Sequence, residues 1–402
     1  MPHVSDTAKG GILGHLTGMI GATAGPAGVL RSPAGAHHGG TMGPMRSAAL
    51  SGVALLLVLS GISAGATSPS RTSSSAATAD PAWSARLATG TQRRTGTCHT
   101  ATSLGSGATP PRAPLDLERI GAGVAALVGV CVHGSGPFEF IVDSGSSVSV
   151  VDPGIASRFG LRPVTGPVRA AGIGCPVTIR FTTISNWSIG PLPLGAQTVA
   201  IHSIPTILPG VAPAGIIASD VLARFGAVRL DYHTGTLSFE GREGPVFESA
   251  SGGPRSNGVS SAGAAPSSLT SGAEVTASGR VAAADGRAIF YAPVRVGTGP
   301  ARTFLVDTGA EITLVSPAVV SSSHLAGSGS HVRLLGIGCP VDLAEVESGP
   351  WAIGSARQPP QLFGVLSNAA SLGIDGDLGS DTFSRYGAVV IDYRSATLIL
   401  AR

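Results

Sequence analysis

Two segments of this 402-residue chain repeat one pattern 164 positions apart (307 − 143): Phe140-Ile141-Val142-Asp143-Ser144-Gly145 and Phe304-Leu305-Val306-Asp307-Thr308-Gly309. In each, an apolar run ends in a carboxylate, a hydroxyl and a glycine, which is how a buried strand delivers an acid into a tight turn. One such tripeptide is weak evidence, because surface turns use these residues constantly. The constant offset carries the signal. Gly172-Ile173-Gly174-Cys175-Pro176-Val177 recurs as Gly336-Ile337-Gly338-Cys339-Pro340-Val341, and Trp187 recurs as Trp351, each tryptophan followed one residue later by Ile-Gly. Beyond them, Ser219-Asp220, Arg224-Phe225-Gly226-Ala227-Val228 and Asp231-Tyr232 match Ser380-Asp381, Arg385-Tyr386-Gly387-Ala388-Val389 and Asp392-Tyr393 at an offset of 161 (392 − 231). The chain therefore duplicates a domain of about 120 residues, and each copy brings one acid.

Hydrophobic residues make up 43% of the chain and charged residues 12%, with 58 glycines and 29 prolines. That balance is ample for cores and points to turn-rich β structure. The net charge is +3 and Lys9 is the sole lysine. Scattered arginines and few aromatics offer neither the basic patch nor the stacking platform of a nucleic-acid binder.

Residues 1–44 are Gly/Ala-rich without a sustained period and are expected to be a disordered extension; His37-His38 finds no further ligand at a useful metal spacing. Within 45–66, Arg46, the apolar stretch Ala48 to Ile62 and the small-residue exit Ala64-Gly65-Ala66 are the parts of a secretory signal peptide cleaved after Ala66. An uncleaved membrane anchor is the alternative. Either reading makes the protein secreted or anchored at the outer face of the cell membrane. Residues 67–115 and 241–273 are rich in small and polar residues and read as a disordered tether and a flexible linker, leaving the two copies at 116–240 and 274–402.

Within a copy the reading is all-β. Strands are expected at Val124 to Val132, Phe138 to Val142, Val148 to Val151, Val177 to Phe181 and Thr198 to Ile201, with a closing hairpin from Ala227 to Phe239. Asp152-Pro153 and Ser316-Pro317 are cap-plus-proline starts for short helices. Asp220 and Asp381 are expected to cap another short helix, and Asp231 and Asp392 to serve turns. Glu311 is expected to bridge the interface or lie on the surface, and Trp187 and Trp351 to pack in the core.

With these elements in place, the residues resemble the aspartic proteases, in particular the retropepsin-like branch. That family shows an apolar-apolar-Asp-Thr/Ser-Gly turn, then a glycine-rich flap hairpin, then an apolar-apolar-Gly element before a short helix. The resemblance covers about 116–240 and 274–402. It implies two tandem retropepsin-like β-barrel lobes forming a pseudo-twofold bilobal enzyme, a monomer with an intramolecular pseudo-dimer. It implies Asp143 and Asp307 as a catalytic dyad, with Ser144, Gly145, Thr308 and Gly309 supporting it through cross-lobe hydrogen bonds. Gly172, Ile173, Gly174 and Gly336, Ile337, Gly338 become flap tips closing over an extended polypeptide substrate. Two carboxylates about 3 Å apart share one proton; the ionised member activates a water while the protonated one donates to the scissile carbonyl, so neither metal nor cofactor is required. Activity is then expected to be bell-shaped in pH and to favour acid.

Two other function classes use the same residues: a peptide-binding module that has lost turnover, and a glycosidase, which needs its carboxylates about 5 Å or more apart. The one Gly-x-Ser-x-Gly match, Gly61-Ile62-Ser63-Ala64-Gly65, lies in the apolar 45–66 segment and not in either copy, which disfavours a serine hydrolase. The third elements, Ile216-Ile217-Ala218 and Asp377-Leu378-Gly379, depart from the family pattern. Ala218 replaces a glycine, and Asp377 takes an apolar position, where it is expected to face solvent; turned inward, it would be a third carboxylate shifting the dyad's titration. Four cysteines allow three full pairings. Cys175 and Cys339, beside the flap tips, read either as small apolar residues or as a disulfide that latches the cleft.

Overall fold

The computed structural model describes residues 58–59, 98, 110–205, 212–240, 274–284 and 287–402. The extension 1–44, the linker 241–273 and all but small parts of the segments 45–66 and 67–115 lie outside the described residues.

Both copies build the same β framework. In the first, Gly123–Val132 and Ser135–Asp143 form an antiparallel pair, and the second strand ends on the first acid. Its other edge pairs in parallel with Gly215–Ala218, setting Ala218 beside Asp143. Phe140, Ile141 and Val142 are all buried. A strand covered on both faces needs a continuous apolar run rather than an alternation, which is what precedes each acid. In the second copy Arg287–Val296, Arg302–Val306 and Gly376–Leu378 repeat the arrangement, with Val306 opposite Leu378. The flap hairpins are Val168–Ala170 with Val177–Ile184, and Gly327–Gly336 with Pro340–Glu347.

Local capping chemistry works as the sequence suggests for two helices. Asp152 accepts from the Gly154 amide at 2.7 Å ahead of Pro153–Arg158, and Ser316 accepts from the Val319 amide at 3.3 Å ahead of Pro317–Ser322. The first strand of the lobe, Arg112–Ile120, starts before the expected boundary at 116, because residues 112–114 pair with the closing hairpin strand Thr236–Phe239.

The closing hairpins join the lobes. Ala227–Asp231 pairs antiparallel with Ala388–Asp392 in the register Ala227↔Asp392, Arg229↔Val390, Asp231↔Ala388. Because Ala227 and Ala388, Arg229 and Val390, and Asp231 and Asp392 are repeat equivalents, this pairing is self-complementary, and a pseudo-twofold axis passes between Arg229 and Val390. One apolar cluster runs through both lobes, taking in Phe225, Tyr232 and Phe239 from the first and Phe290, Phe383 and Tyr393 from the second. Trp187 and Trp351 are buried in it, their indole N–H groups donating to the Gly195 and Pro359 carbonyls at 2.7 and 2.9 Å. Core packing is thus their role.

The two copies differ where the third strand meets its helix. Ala218 sits at φ −104°, ψ −179° and Gly379 at φ −91°, ψ 173°, extended backbone open to any residue. Space separates them: a Cβ on Gly379 would lie 2.5 Å from the Ile312 carbonyl carbon. Gly379→Ala is expected to cost about 1–3 kcal/mol through overpacking, and Ala218→Gly only about 0.5–1 kcal/mol through added backbone freedom. Denaturant midpoints of the two variants check that order, and equal losses would contradict it.

Candidate active site

The two acid turns meet on the pseudo-twofold axis and exchange hydrogen bonds reciprocally. The Ser144 amide donates to Thr308 Oγ1 and the Thr308 amide to Ser144 Oγ, both at 3.1 Å. Ser144 Oγ donates to the Val306 carbonyl and Thr308 Oγ1 to the Val142 carbonyl, both at 2.8 Å. Each hydroxyl is donor and acceptor at once, so losing either strands buried backbone groups on both lobes. Within each turn the acid is held by its own loop. Asp143 Oδ1 accepts from the amides of Gly145 and Ser146 at 2.9 and 2.8 Å, and Asp307 Oδ1 from those of Gly309 and Ala310 at 2.8 and 3.1 Å.

The glycines are dictated by close approach. A Cβ on Gly145 would lie 2.1 Å from Asp307 Cγ, and one on Gly309 2.6 Å from Asp143 Cγ. The two carboxyls are close enough to interact directly and both are buried. Direct contact leaves no place for the separation of about 5 Å or more that two-carboxylate glycoside hydrolysis uses, and that reading falls.

Asp377 does not face solvent: its exposure is 0%. Gly376–Leu378 is an interior strand, flanked by Phe304–Val306 on one side and by Leu314–Val315 on the other. The Asp377 carboxyl is turned to Asp307. The capping role expected of Asp220 and Asp381 is also corrected, since neither helix Ser219–Leu222 nor Ser380–Phe383 has a side-chain cap. Asp220 instead accepts from the Ser149 amide and hydroxyl at 3.0 and 2.6 Å, and Asp381 from Thr313 Oγ1 at 2.8 Å. These acids already lie in the first turn of one-turn helices, so their carboxylates reach past it and pin the segment that follows each acid turn. Glu311 is buried rather than on the surface, and its Oε2 meets no hydrogen-bond partner among the described residues. Asp231 and Asp392 serve turns, accepting from the Thr234 amide at 2.7 Å and the Arg394 amide at 2.9 Å.

The flaps are shut. Cys175 and Cys339 form a disulfide, so the plainer reading of two unpaired apolar residues gives way; Cys98 pairs with Cys131. Glycine lets the tips interleave: a Cβ on Gly336 would lie 2.3 Å from the Ile173 carbonyl oxygen, and one on Gly338 2.6 Å from Val177 Cγ1. Gly174 also needs its left-handed φ of 85°. Each tip is tied to the opposite lobe, Ile337 O to His202 Nε2 at 3.1 Å and Gly172 O to Asn368 Nδ2 at 3.4 Å. Ile173 is fully buried among Leu305, Ala310, Ile312, Leu314 and Leu334 of the second lobe.

Burial, then the neighbouring Asp307 charge, raises Asp143 well above the usual carboxylate range, and burial followed by Asp307 and Asp143 does the same to Asp377. For Asp307, burial is partly offset by hydrogen bonds from Asp143 and from turn amides, and its pKa is pushed up to about 6. Burial takes Asp381 to about 6, and burial beside Asp381 takes Glu311 to about 8. Each of these groups binds its proton more tightly folded than unfolded. Their stabilisation is therefore complete below the unfolded carboxyl values of about 4 and is lost as pH rises through the folded values. The thermal midpoint is expected to fall between about pH 4 and pH 8; a midpoint rising across that range would contradict these environments.

A sequence profile described as Aspartyl protease matches the chain twice, over residues 128–221 and 292–382, once in each lobe. No curated protein matches the sequence. Among solved structures, the crystal structure of the aspartic proteinase from Irpex lacteus is similar at 14% identity, covering 73% of this chain and 97% of that one with a TM-score of 0.38. Each segment matched by the profile contains one acid turn, one flap hairpin and one third strand, so the match to the aspartyl protease family spans the site-forming elements of both lobes.

Proposed function

We propose that this protein is an aspartic endopeptidase that hydrolyses extended polypeptides by a water molecule activated between Asp143 and Asp307. The observation that carries this reading is the direct contact of the two buried carboxyls, held by the reciprocal Ser144–Thr308 hydrogen bonds. Ionised Asp307 takes a proton from the water as its oxygen attacks the scissile carbonyl, and protonated Asp143 donates to the carbonyl oxygen. The amine leaves with the proton Asp307 gained, and the dyad resets. With Asp307 at about 6, the acid limb of the pH profile lies near that value, higher than an acid-favouring dyad alone implies.

We also infer that the protein works outside the cytoplasm, as a monomer. Its two disulfides suit an oxidising compartment, and the 45–66 segment supplies the export signal or anchor. Among the described residues no helix is long and apolar enough to cross a membrane.

Closure of the flaps sets the condition for activity. A dithiol reductant delivers two electrons and two protons to the Cys175–Cys339 disulfide, giving two thiols and an oxidised dithiol. His202 and Asn368 then hold the tips only by hydrogen bonds that a substrate strand replaces. Peptide-library cleavage by the chain from residue 67 onward is expected to be weak when oxidised and to rise roughly ten-fold or more on reduction. Cys339→Ser should cleave without reductant. Asp143→Asn and Asp307→Asn should each lose about 10³-fold or more. Activity surviving in one of them would contradict a shared site, and a folded wild type inert in both redox states would leave the peptide-binding module.

A further inference from the structure

The pseudo-twofold symmetry of the site is broken at one buried position. Ile216 in the first lobe and Asp377 in the second are equivalents, 161 apart (377 − 216), at the same register of their strands: Ile216 faces Ile141 and Asp377 faces Leu305. Both are 0% exposed. The fold accepts an apolar side chain here without cost, whereas a carboxyl gives up its hydration and must be compensated. Compensation from the rest of the protein is missing. Neither oxygen of Asp377 meets a hydrogen-bond partner among the described residues, and neither does Asp307 Oδ2. The groups that bear on Asp377 are all acidic: Asp307 from the end of its neighbouring strand, Asp143 from the opposite lobe and Asp381 from the following helix. Further out, the phenols of Tyr232 and Tyr393 face the dyad from the interlobe sheet, and Glu311 lies beside Asp381. No group of three or more His, Cys, Asp or Glu side chains among the described residues is arranged to hold a metal ion.

Carboxylates have no hydrogen to share, so two facing ones with no other donor require a proton between them. We propose that Asp377 is a positioning residue: in its protonated form it donates a hydrogen bond to Asp307, which fixes Asp307 as the ionised general base and Asp143 as the acid. Three carboxyls then hold two protons and one negative charge, the charge resting on the central Asp307, which accepts from both sides. Two-lobed symmetry alone leaves the acid and base roles interchangeable; Asp377 assigns them. Burial, followed by the neighbouring Asp307 charge, pushes both Asp143 and Asp377 towards their protonated forms, in the same direction.

This inference rests on the proteolytic reading for its kinetic consequences but not for its proton placement, and both are testable. In Asp377→Leu the side chain resembles that of Ile216 and the fold should be retained, as thermal unfolding will report. Loss of the donor to ionised Asp307 is expected to lower kcat about ten-fold with little change in KM, and to move the acid limb up by about one pH unit. Asp377→Asn keeps an N–H donor and should restore both. An Asp377→Leu enzyme with unchanged kcat and acid limb would overturn the proposal.

The second readout needs no turnover. In full-length protein labelled at the aspartate carboxyl carbon, NMR at pH 7 is expected to show two protonated carboxyls in the cluster, assigned by Asp143→Asn, Asp307→Asn and Asp377→Asn. An Asp377 signal in the ionised position at pH 7 would overturn the proposal whether or not the protein cleaves peptides. A protonated signal in a protein that never cleaves would retain the proton placement while the protease reading fails.

Discussion

Four hydrogen bonds between Ser144 and Thr308 and the opposing backbone make one site out of two repeats. Each turn supplies half of the partners that the other turn's buried groups need, so neither is satisfied alone. The close approach they enforce brings the carboxyls into contact and leaves no room for a side chain at Gly145 or Gly309. Burial first, and then the neighbouring Asp307 charge, raises Asp143 well above the usual carboxylate range. Pairing of equivalents recurs along the axis: Arg229 with Val390 in the interlobe sheet, Ser144 with Thr308 at the turns, and Cys175 with Cys339 at the flap tips. A twofold relation brings equivalents together only at its axis, which is why a cysteine repeated at the flap tip can pair with its own copy.

Much of this was legible in the chain. The fixed offset disclosed the duplication, the continuous apolar runs marked the buried acid strands, and Asp152-Pro153 and Ser316-Pro317 marked helix starts because local cap chemistry decides them. Four acids were less readable. Asp377, Asp220, Asp381 and Glu311 look like surface or cap residues because an isolated carboxylate in a sequence is ordinarily solvated. Their burial follows from long-range pairing, such as the strand at 376–378 lying between two others, and no local pattern encodes that. The departure of Asp377 from the family pattern was the one available signal, and it pointed to the right residue with the wrong exposure. Ala218 was the opposite case: its backbone is ordinary, and the requirement for glycine at Gly379 comes from the packing of Ile312.

The site is also closed by its own chain. Ile173 fills apolar ground in the second lobe that a substrate side chain would otherwise cover, and the tips are joined covalently and through His202 and Asn368. Opening exposes that apolar surface to water, so the open state is costly unless something else covers it.

The central claim, that two lobes form one shared site, is most directly tested by calorimetric titration of the reduced protein with a peptide carrying a secondary alcohol in place of the scissile amide. Such a group mimics the tetrahedral transition state and engages both carboxyls at once. One equivalent should bind per chain, with affinity lost alike in Asp143→Asn and in Asp307→Asn. Two equivalents per chain, or binding that survives undiminished when either acid is replaced, would contradict a single site built across the lobes.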